Sequence, residues 1–246
     1  MEEAFKQQMQ EELNAFGICL SDAQIKQFYR YYEILIQQNQ VMNLTAITEE
    51  REVVTKHFVD SLSLADIYPE FQRGDPISLI DVGTGAGFPG IPLRIAFPSC
   101  QVTLLDSLNK RVKFLQQVCG DLQLTQVNAV HGRAEDLGHQ EEYRERYRLC
   151  VSRAVANLST LSEYCLPFVQ VGGMFISYKS GNVEEEAGEA EYAIAQLGGR
   201  LKKIHSFSLP GTDMRRSFVV IEKVKKLHKK YPRKAGLPSK EPLKAV

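Results

Sequence analysis

Apolar residues over the first 70 positions recur at helical spacing, and from residue 77 short apolar runs alternate with amphipathic stretches. In SDAQIKQFYRYYEILIQQ, Ser21 and Gln24 form a capping-box pattern. Ile25, Phe28, Tyr29, Tyr32 and Ile36 then follow at i, i+3, i+4, i+7 and i+11, which predicts one apolar helix face. A second helix is predicted from Thr48, with Val54, His57, Phe58, Ser61 and Leu62 on one side. QRGDP (72–76) is turn chemistry and marks a boundary. Beyond it, ISLIDV, QVTLLD, VNAVHG, YRLCVS, GGMFISYK, KKIHSFSL and SFVVIEKV read as strands. Helices are expected from about Pro89, over 109–120, from about Leu158 and over 183–197. Runs apolar on both faces and separated by helices predict an α/β fold with a seven-stranded, mostly parallel sheet covered on both sides. Only PGTDMRR joins the last two strands, so they are expected to pair antiparallel at one edge. Three parts result: an N-terminal helical extension (1–76), an α/β core (77–224) and a C-terminal tail (225–246). The tail sets Pro232, Pro238 and Pro242 among lysines, so it is expected to be extended or disordered unless an anion orders it.

Composition changes this picture little: 43% hydrophobic and 24% charged residues are ordinary for a soluble globular chain. No apolar run approaches the ~20 residues of a membrane span, and MEEAFKQQMQ lacks the features of a secretory or transit peptide. Cys19, Cys100, Cys119, Cys150 and Cys165 form no CxxC pair, which favours reduced thiols in the cytoplasm and no metal site. The working expectation is a monomer. Charge changes the picture more. The net charge of zero divides into 6 basic against 13 acidic residues over 1–76, 10 against 14 over 77–199, and 14 against 3 over 200–246. A basic end on a neutral protein points to a polyanionic partner, because each Lys or Arg placed on a phosphate releases a counterion.

DVGTGAGFPG (81–90) packs glycines 83, 85, 87 and 90 behind the first strand. Such turns bring backbone close to a nucleotide, and the GxGxxG match within it also fits a dinucleotide. Three features bear on the choice between S-adenosylmethionine and NAD, and the first and third favour S-adenosylmethionine. Asp81 ends the strand just before the turn, where its charge would repel a pyrophosphate and tolerate a sulfonium and an ammonium. Asp106 ends the next strand, where a carboxylate can accept ribose hydroxyls of either cofactor. No tyrosine has a lysine four residues on, as short-chain dehydrogenases require. In HGRAED (131–136), Glu135 or Asp136 can accept from an adenine amino group, with the Ala134 backbone nearby; a plain helix N-cap is the simpler reading. A seven-stranded sheet ending in a hairpin is the arrangement of class I, Rossmann-like methyltransferases.

The loop after the fourth strand, VSRAVANL (151–158), lacks the Asn/Asp-Pro-Pro-aromatic motif of exocyclic-amine methylation. Cys150 and Cys165 lack the setting of a C5-pyrimidine nucleophile. What remains suits a ring nitrogen with its own lone pair, such as guanine N7. Arg153 is the leading site candidate, able to hold a methionine carboxylate, a guanine O6 or a phosphate. No single residue is identified as catalytic; Arg153 and Lys179 are the candidates.

With these residues assembled, the chain closely resembles the bacterial 16S ribosomal RNA guanine-N7 methyltransferase family, also called glucose-inhibited division protein B. The likeness is carried by NLTAI (43–47), KHFVDSL (56–62), DVGTGAGFPGIPL (81–93), LLDSLNKRVKFL (104–115), GRAED, VSRAVA (151–156), SYKS (177–180), RSFVVIEK (216–223) and KYPRKAGLPSKEPL (230–243). It implies methyl transfer from S-adenosylmethionine to N7 of one guanine in 16S rRNA of the small ribosomal subunit. It places cofactor contacts on Gly83, Phe88, Ala134, Glu135 and Arg153, beside the Asp81, Gly85 and Asp106 read above. Asn43, Lys179 and Arg216 stand at family-typical positions and, with Lys229, Lys230, Arg233 and Lys234 of the tail, are the RNA-binding candidates. His57 and Asp60, one helical turn apart, are expected to order the N-terminal helices against the core.

A methyltransferase acting on another substrate would share the glycine turn without needing the basic end. A non-enzymatic RNA-binding assembly factor would need the basic end without Asp81, Asp106 and GRAED; a dehydrogenase fits least. On this reading, removing the tail after Val224 weakens RNA binding and leaves cofactor affinity nearly unchanged.

Overall fold

The computed structural model describes residues 2–154, 156–181 and 183–245, so Val155 of VSRAVA lies outside the described residues. The strands are β1 (Ile77–Val82), β2 (Cys100–Asp106), β3 (Val127–His131), β4 (Tyr147–Ser152), β5 (Val169–Ser180), β6 (Gly199–Ser208) and β7 (Arg215–Lys223). They form one sheet in the order β3-β2-β1-β4-β5-β7-β6. β1 pairs parallel with β2 and β4, and β2 with β3. The final hairpin forms as expected, but β7 is inserted between β5 and β6, antiparallel to both. This explains why Ser217–Ile221 is buried throughout while β6, at the edge, is half-exposed. The strand order reverses between β1 and β4, and the crevice at their carboxyl ends is where an open α/β sheet receives a ligand.

Neighbouring positions of β1 feed opposite faces: Leu79 joins one apolar cluster and Ile80 the other. The first cluster also holds Phe5, Met9, Phe28 and Phe58 from the N-terminal helices, so the extension and the sheet share one core. These helices are α1 (Glu2–Asn14), α2 (Asp22–Met42) and a segment in which α3 (Glu50–Val53) passes through a π-helical turn (Val54–Val59) into α4 (Asp60–Leu62). The capping box forms at Ser21, and Gln24 also donates to the carbonyls of Ile95 and Ala96. The buried face of α2 is Ile25, Phe28, Tyr31, Ile34 and Leu35. It therefore takes Tyr31 where the sequence pattern favours Tyr32, and the Tyr31 hydroxyl donates to the Ala86 carbonyl inside the glycine turn.

The remaining helices are α5 (Glu70–Arg73), α6 (Gly90–Ala96), α7 (Asn109–Asp121), α8 (Ala134–Leu137), α9 (Leu158–Cys165), α10 (Glu184–Gln196) and α11 (Leu237–Lys240). Among the described residues, no helix is long and apolar enough to cross a membrane.

The tail departs from an extended arm: it is folded against the rest of the protein. Leu227, Tyr231 and Pro238 are buried between exposed lysines. Arg144 donates to the carbonyls of Gly138 (2.7 Å), Tyr231 (2.9 Å), Leu227 (3.2 Å) and His228 (3.3 Å). The few apolar residues of a lysine-rich segment are enough when one guanidinium satisfies its backbone.

Candidate functional site

Two cavities meet at Ala154 and Ala156, after β4. The first, about 450 Å³, lies at the carboxyl ends of β1 and β2; Gly83, Leu108, Ala134, Glu135 and Tyr164 are among its walls. Gly83 brings the start of the glycine turn to its wall, and the two acids hold that turn together. Asp81 Oδ2 accepts from the Thr84 hydroxyl (2.6 Å) and from the Gly90 N–H (2.9 Å). Asp106 accepts from the N–H groups of Gly85 (3.0 Å) and Leu108 (2.9 Å). Both acids are buried, and in this structure protein donors occupy them. The reason is local: carboxylates beside a turn rich in free N–H groups are satisfied by those donors. Burial pushes the Asp81 carboxyl up to about 6, and its Oδ1 has no partner among the described residues.

Gly90 is fixed by close approach. A Cβ there would stand 2.4 Å from Leu104 Cδ2 and 3.0 Å from Asp81 Oδ2. Gly90→Ala is expected to cost ~1–3 kcal/mol by overpacking, read as a lower midpoint in thermal denaturation.

The Phe88 side chain is buried. Its ring stacks on His57 (4.6 Å between centroids) and Tyr31 (5.4 Å), with Arg153 Cζ 5.0 Å from its centre. It joins the turn to the N-terminal helices.

The second cavity, about 590 Å³, is lined by Lys56, His57, Asp60, Arg153, Lys179 and Arg216 among others. At its centre Asp60, 3% exposed, accepts from Arg153 Nη1 with one oxygen and from Arg216 Nε with the other, each at 3.1 Å. Arg153 Nη1 also donates to the Lys56 carbonyl, and Nη2 donates to His57 Nδ1 (both 3.2 Å). With Nδ1 accepting, His57 donates through Nε2 to the Thr45 hydroxyl at 2.8 Å. Burial, reinforced by Arg153, pushes the His57 pKa down to about 3. His57 and Asp60 thus tie the extension to the core as expected, and they do so by holding two arginines.

The sign of the pH effect follows from that depression. The unfolded chain takes up the His57 proton near pH 6.5, so the stabilisation is full above that pH and is lost as pH falls toward 3. Asp81, shifted upward to about 6, acts in the opposite direction between pH 6 and 3.8. His57→Gln is therefore expected to flatten the acid decline of the unfolding midpoint below pH 6.5, measured against the unmodified protein.

The family model described as rRNA small subunit methyltransferase G (GidB) matches residues 24–219, from α2 to within β7. The chain belongs to the GidB family. It is 53% identical over 231 residues to a Ribosomal RNA small subunit methyltransferase G of Lachnoclostridium phytofermentans, covering 94% of each chain. It is 52% identical over 236 residues to the protein of that name from Alkaliphilus oremlandii, covering 96% of this chain and 98% of the other. Among solved structures, M. jannaschii TYW2 in complex with AdoMet aligns with a TM-score of 0.50 at 13% identity, over 64% of this chain and 76% of that one. A putative sarcosine dimethylglycine methyltransferase from Galdieria sulphuraria aligns at 0.53 and 11% identity, over 73% and 89%. These two show the Rossmann-like fold.

The GidB-family chain is a methyltransferase, and the first cavity suits the expected donor, S-adenosylmethionine. Its volume is in the ~300–1,000 Å³ range of small-molecule sites. Gly83, at φ +73°, gives backbone access, and the exposed Leu108 side chain offers an apolar face. Glu135 lines the cavity, but its Oε1 already accepts from the Gly236 N–H at 2.8 Å.

The other candidates are dispersed. Lys179 is held by Glu186 and by the Ala156 carbonyl, both at 2.7 Å, which leaves it mostly buried where a phosphate contact was expected. Arg233 is paired with buried Glu163, so it too is not a free phosphate ligand. Lys229, Lys230 and Lys234 are exposed. Asn43 is exposed at the end of α2, in the left-handed region (φ 47°), outside both cavities. Sequence reasoning passed over Tyr164, Gly236 and Ser239, which line the first cavity, and Glu186 in the second. Of the sequence signals, the family-like stretch KYPRKAGLPSKEPL is the one that contains Gly236 and Ser239.

Proposed function

We propose that the second cavity receives a guanine of 16S rRNA and that its N7 takes the methyl group. The observation that carries this is that the proton acceptors described around that cavity are already engaged, Glu186 by the Lys179 ammonium and the Leu158 N–H. His57 is neutral with both ring nitrogens engaged, Asp60 is occupied by two arginines, and the Tyr178 hydroxyl donates to the Ser61 carbonyl at 2.8 Å. A nucleophile that must first lose a proton is poorly served here. Guanine N7 has a lone pair and no proton, so it needs alignment and charge control only. Bound in the neighbouring cavity, S-adenosylmethionine supplies an electrophilic methyl group. Arg153, at the junction, and Arg216 present guanidinium groups able to orient O6 or a flanking phosphate. The GidB relatives, named for the ribosomal RNA small subunit, support this acceptor and a cytoplasmic place of action.

The test is incubation with methyl-labelled S-adenosylmethionine and small ribosomal subunits from a strain lacking the activity. Label in N7-methylguanosine of the rRNA digest is expected; label in protein, or none in rRNA, defeats the reading. The exposed tail lysines should contribute nonspecific attraction. Replacing Lys229, Lys230 and Lys234 by alanine is expected to reduce the slope of log Kd for rRNA against log salt by up to ~2–3.

A further inference from the structure

We propose that the C-terminal segment 227–243 is a wall of the cofactor site, latched shut by the Arg233–Glu163 ion pair. This makes Arg233 a positioning residue for donor binding. The inference rests on the donor cavity and is independent of which acceptor is methylated.

Gly236 and Ser239 line the donor cavity opposite Gly83 and Leu108 in sequence, more than 120 residues downstream of both. The Gly236 N–H donates to Glu135 at 2.8 Å, and the Ser239 hydroxyl donates back to the Gly236 carbonyl at 3.0 Å. Glu135 and Tyr164 are themselves cavity residues. The strap thus meets the rest of the wall at Glu135, through the Gly236 N–H.

What keeps the strap there is α9. Glu163, 0% exposed, receives Arg233 Nε at 2.9 and 3.0 Å on its two oxygens, Nη2 at 2.6 Å, and the Arg233 backbone N–H at 2.7 Å. Arg233 Nη2 also donates to the Glu241 carbonyl at 2.8 Å, closing the strap on itself. One turn earlier on α9, the Thr160 hydroxyl donates to the Pro238 carbonyl at 3.0 Å. Leu161 and Tyr164 of the same helix line the cavity. A single helix thus carries both the latch and part of the wall, so losing the latch moves Gly236 and Ser239 without touching the sheet. Between the buried anchors Tyr231 and Pro238 the stretch 233–237 is held by these polar contacts, and such a stretch opens locally, below the free energy of global unfolding. Donor release by such an opening makes the latch a determinant of residence time.

The test is calorimetric titration with S-adenosylhomocysteine together with its dissociation rate, on the full chain. Arg233→Met combined with Glu163→Leu removes both charges and leaves no orphaned buried carboxylate. This double variant is expected to unfold cooperatively, bind roughly tenfold more weakly and release faster. In turnover, KM for the donor should rise by more than kcat falls, a split that general destabilisation does not produce. Arg233→Lys alone should bind more tightly than Arg233→Met alone. Thr160→Val, which removes one hydroxyl, should weaken binding in the same direction, and it decides the matter should the double variant not fold. Wild-type affinity in a folded double variant, or in Thr160→Val, overturns the proposal.

Discussion

Replacing Asp60 by alanine is expected to lower methyl transfer by ~100-fold or more, the scale on which misplacement of reacting groups by about 1 Å acts. Among the described residues, Asp60 is the one group that Arg153 and Arg216 share, on two separate oxygens. Without it, two guanidinium groups at 20% and 17% exposure remain close together in a partly desolvated chamber. Breaking a buried pair typically costs ~3–5 kcal/mol, and partial exposure should reduce that here. A lower unfolding midpoint is thus expected as well. Asp60→Asn keeps the shape and one acceptor oxygen, so it should fall between alanine and the unmodified protein. The decisive readout is selectivity: donor affinity, measured with S-adenosylhomocysteine, should change far less than turnover. Equal losses of both would place Asp60 in the general architecture and not in the acceptor chamber.

A chain ending at Val224 is expected to lose most of its donor affinity along with thermal stability. The sequence alone leads to the opposite expectation, because proline and lysine look like a solvated arm awaiting a polyanion. In the folded protein the removed segment takes Leu227, Tyr231 and Pro238 out of the core and leaves Glu163 without a counter-charge. It also uncovers Lys223, 0% exposed, whose pKa burial holds down at about 8 beside Glu145. Glu145 in turn accepts from the Leu227 N–H. Calorimetry and a denaturation curve on the same preparation check both effects. Weakened rRNA binding with unchanged donor affinity would restore the arm reading.

The parts of this protein legible from its sequence are those governed by short-range rules. Continuous apolar runs such as ISLIDV give the strands, and the glycine turn announces itself because only glycine tolerates Leu104 so near position 90. Tyr31 was harder to read, since positions 31 and 32 both continue a helical stripe from Phe28. Choosing between them depends on where the Ala86 carbonyl lies. The acids of the turn were found, but their orientation was not, because spacing says nothing about which N–H groups a carboxylate meets. Asp60 and Arg153 are 93 residues apart, and their pairing exists only once β4 and the N-terminal helices come together.

The π-helical turn at Val54–Val59 bears on how sequence variation should be interpreted. In a regular helix the Asp60 N–H would go to the Lys56 carbonyl; here it goes to Thr55 and His57. The Lys56 carbonyl instead accepts from Arg153, while the Lys56 side chain pairs outward with Glu52. One of the anchors of the key guanidinium is therefore main chain. Substituting residue 56 leaves that anchor in place, so mutational tolerance there would say little about the position's importance. Losing one residue from the segment, by contrast, would straighten the helix and withdraw the carbonyl with no side chain in the chamber altered.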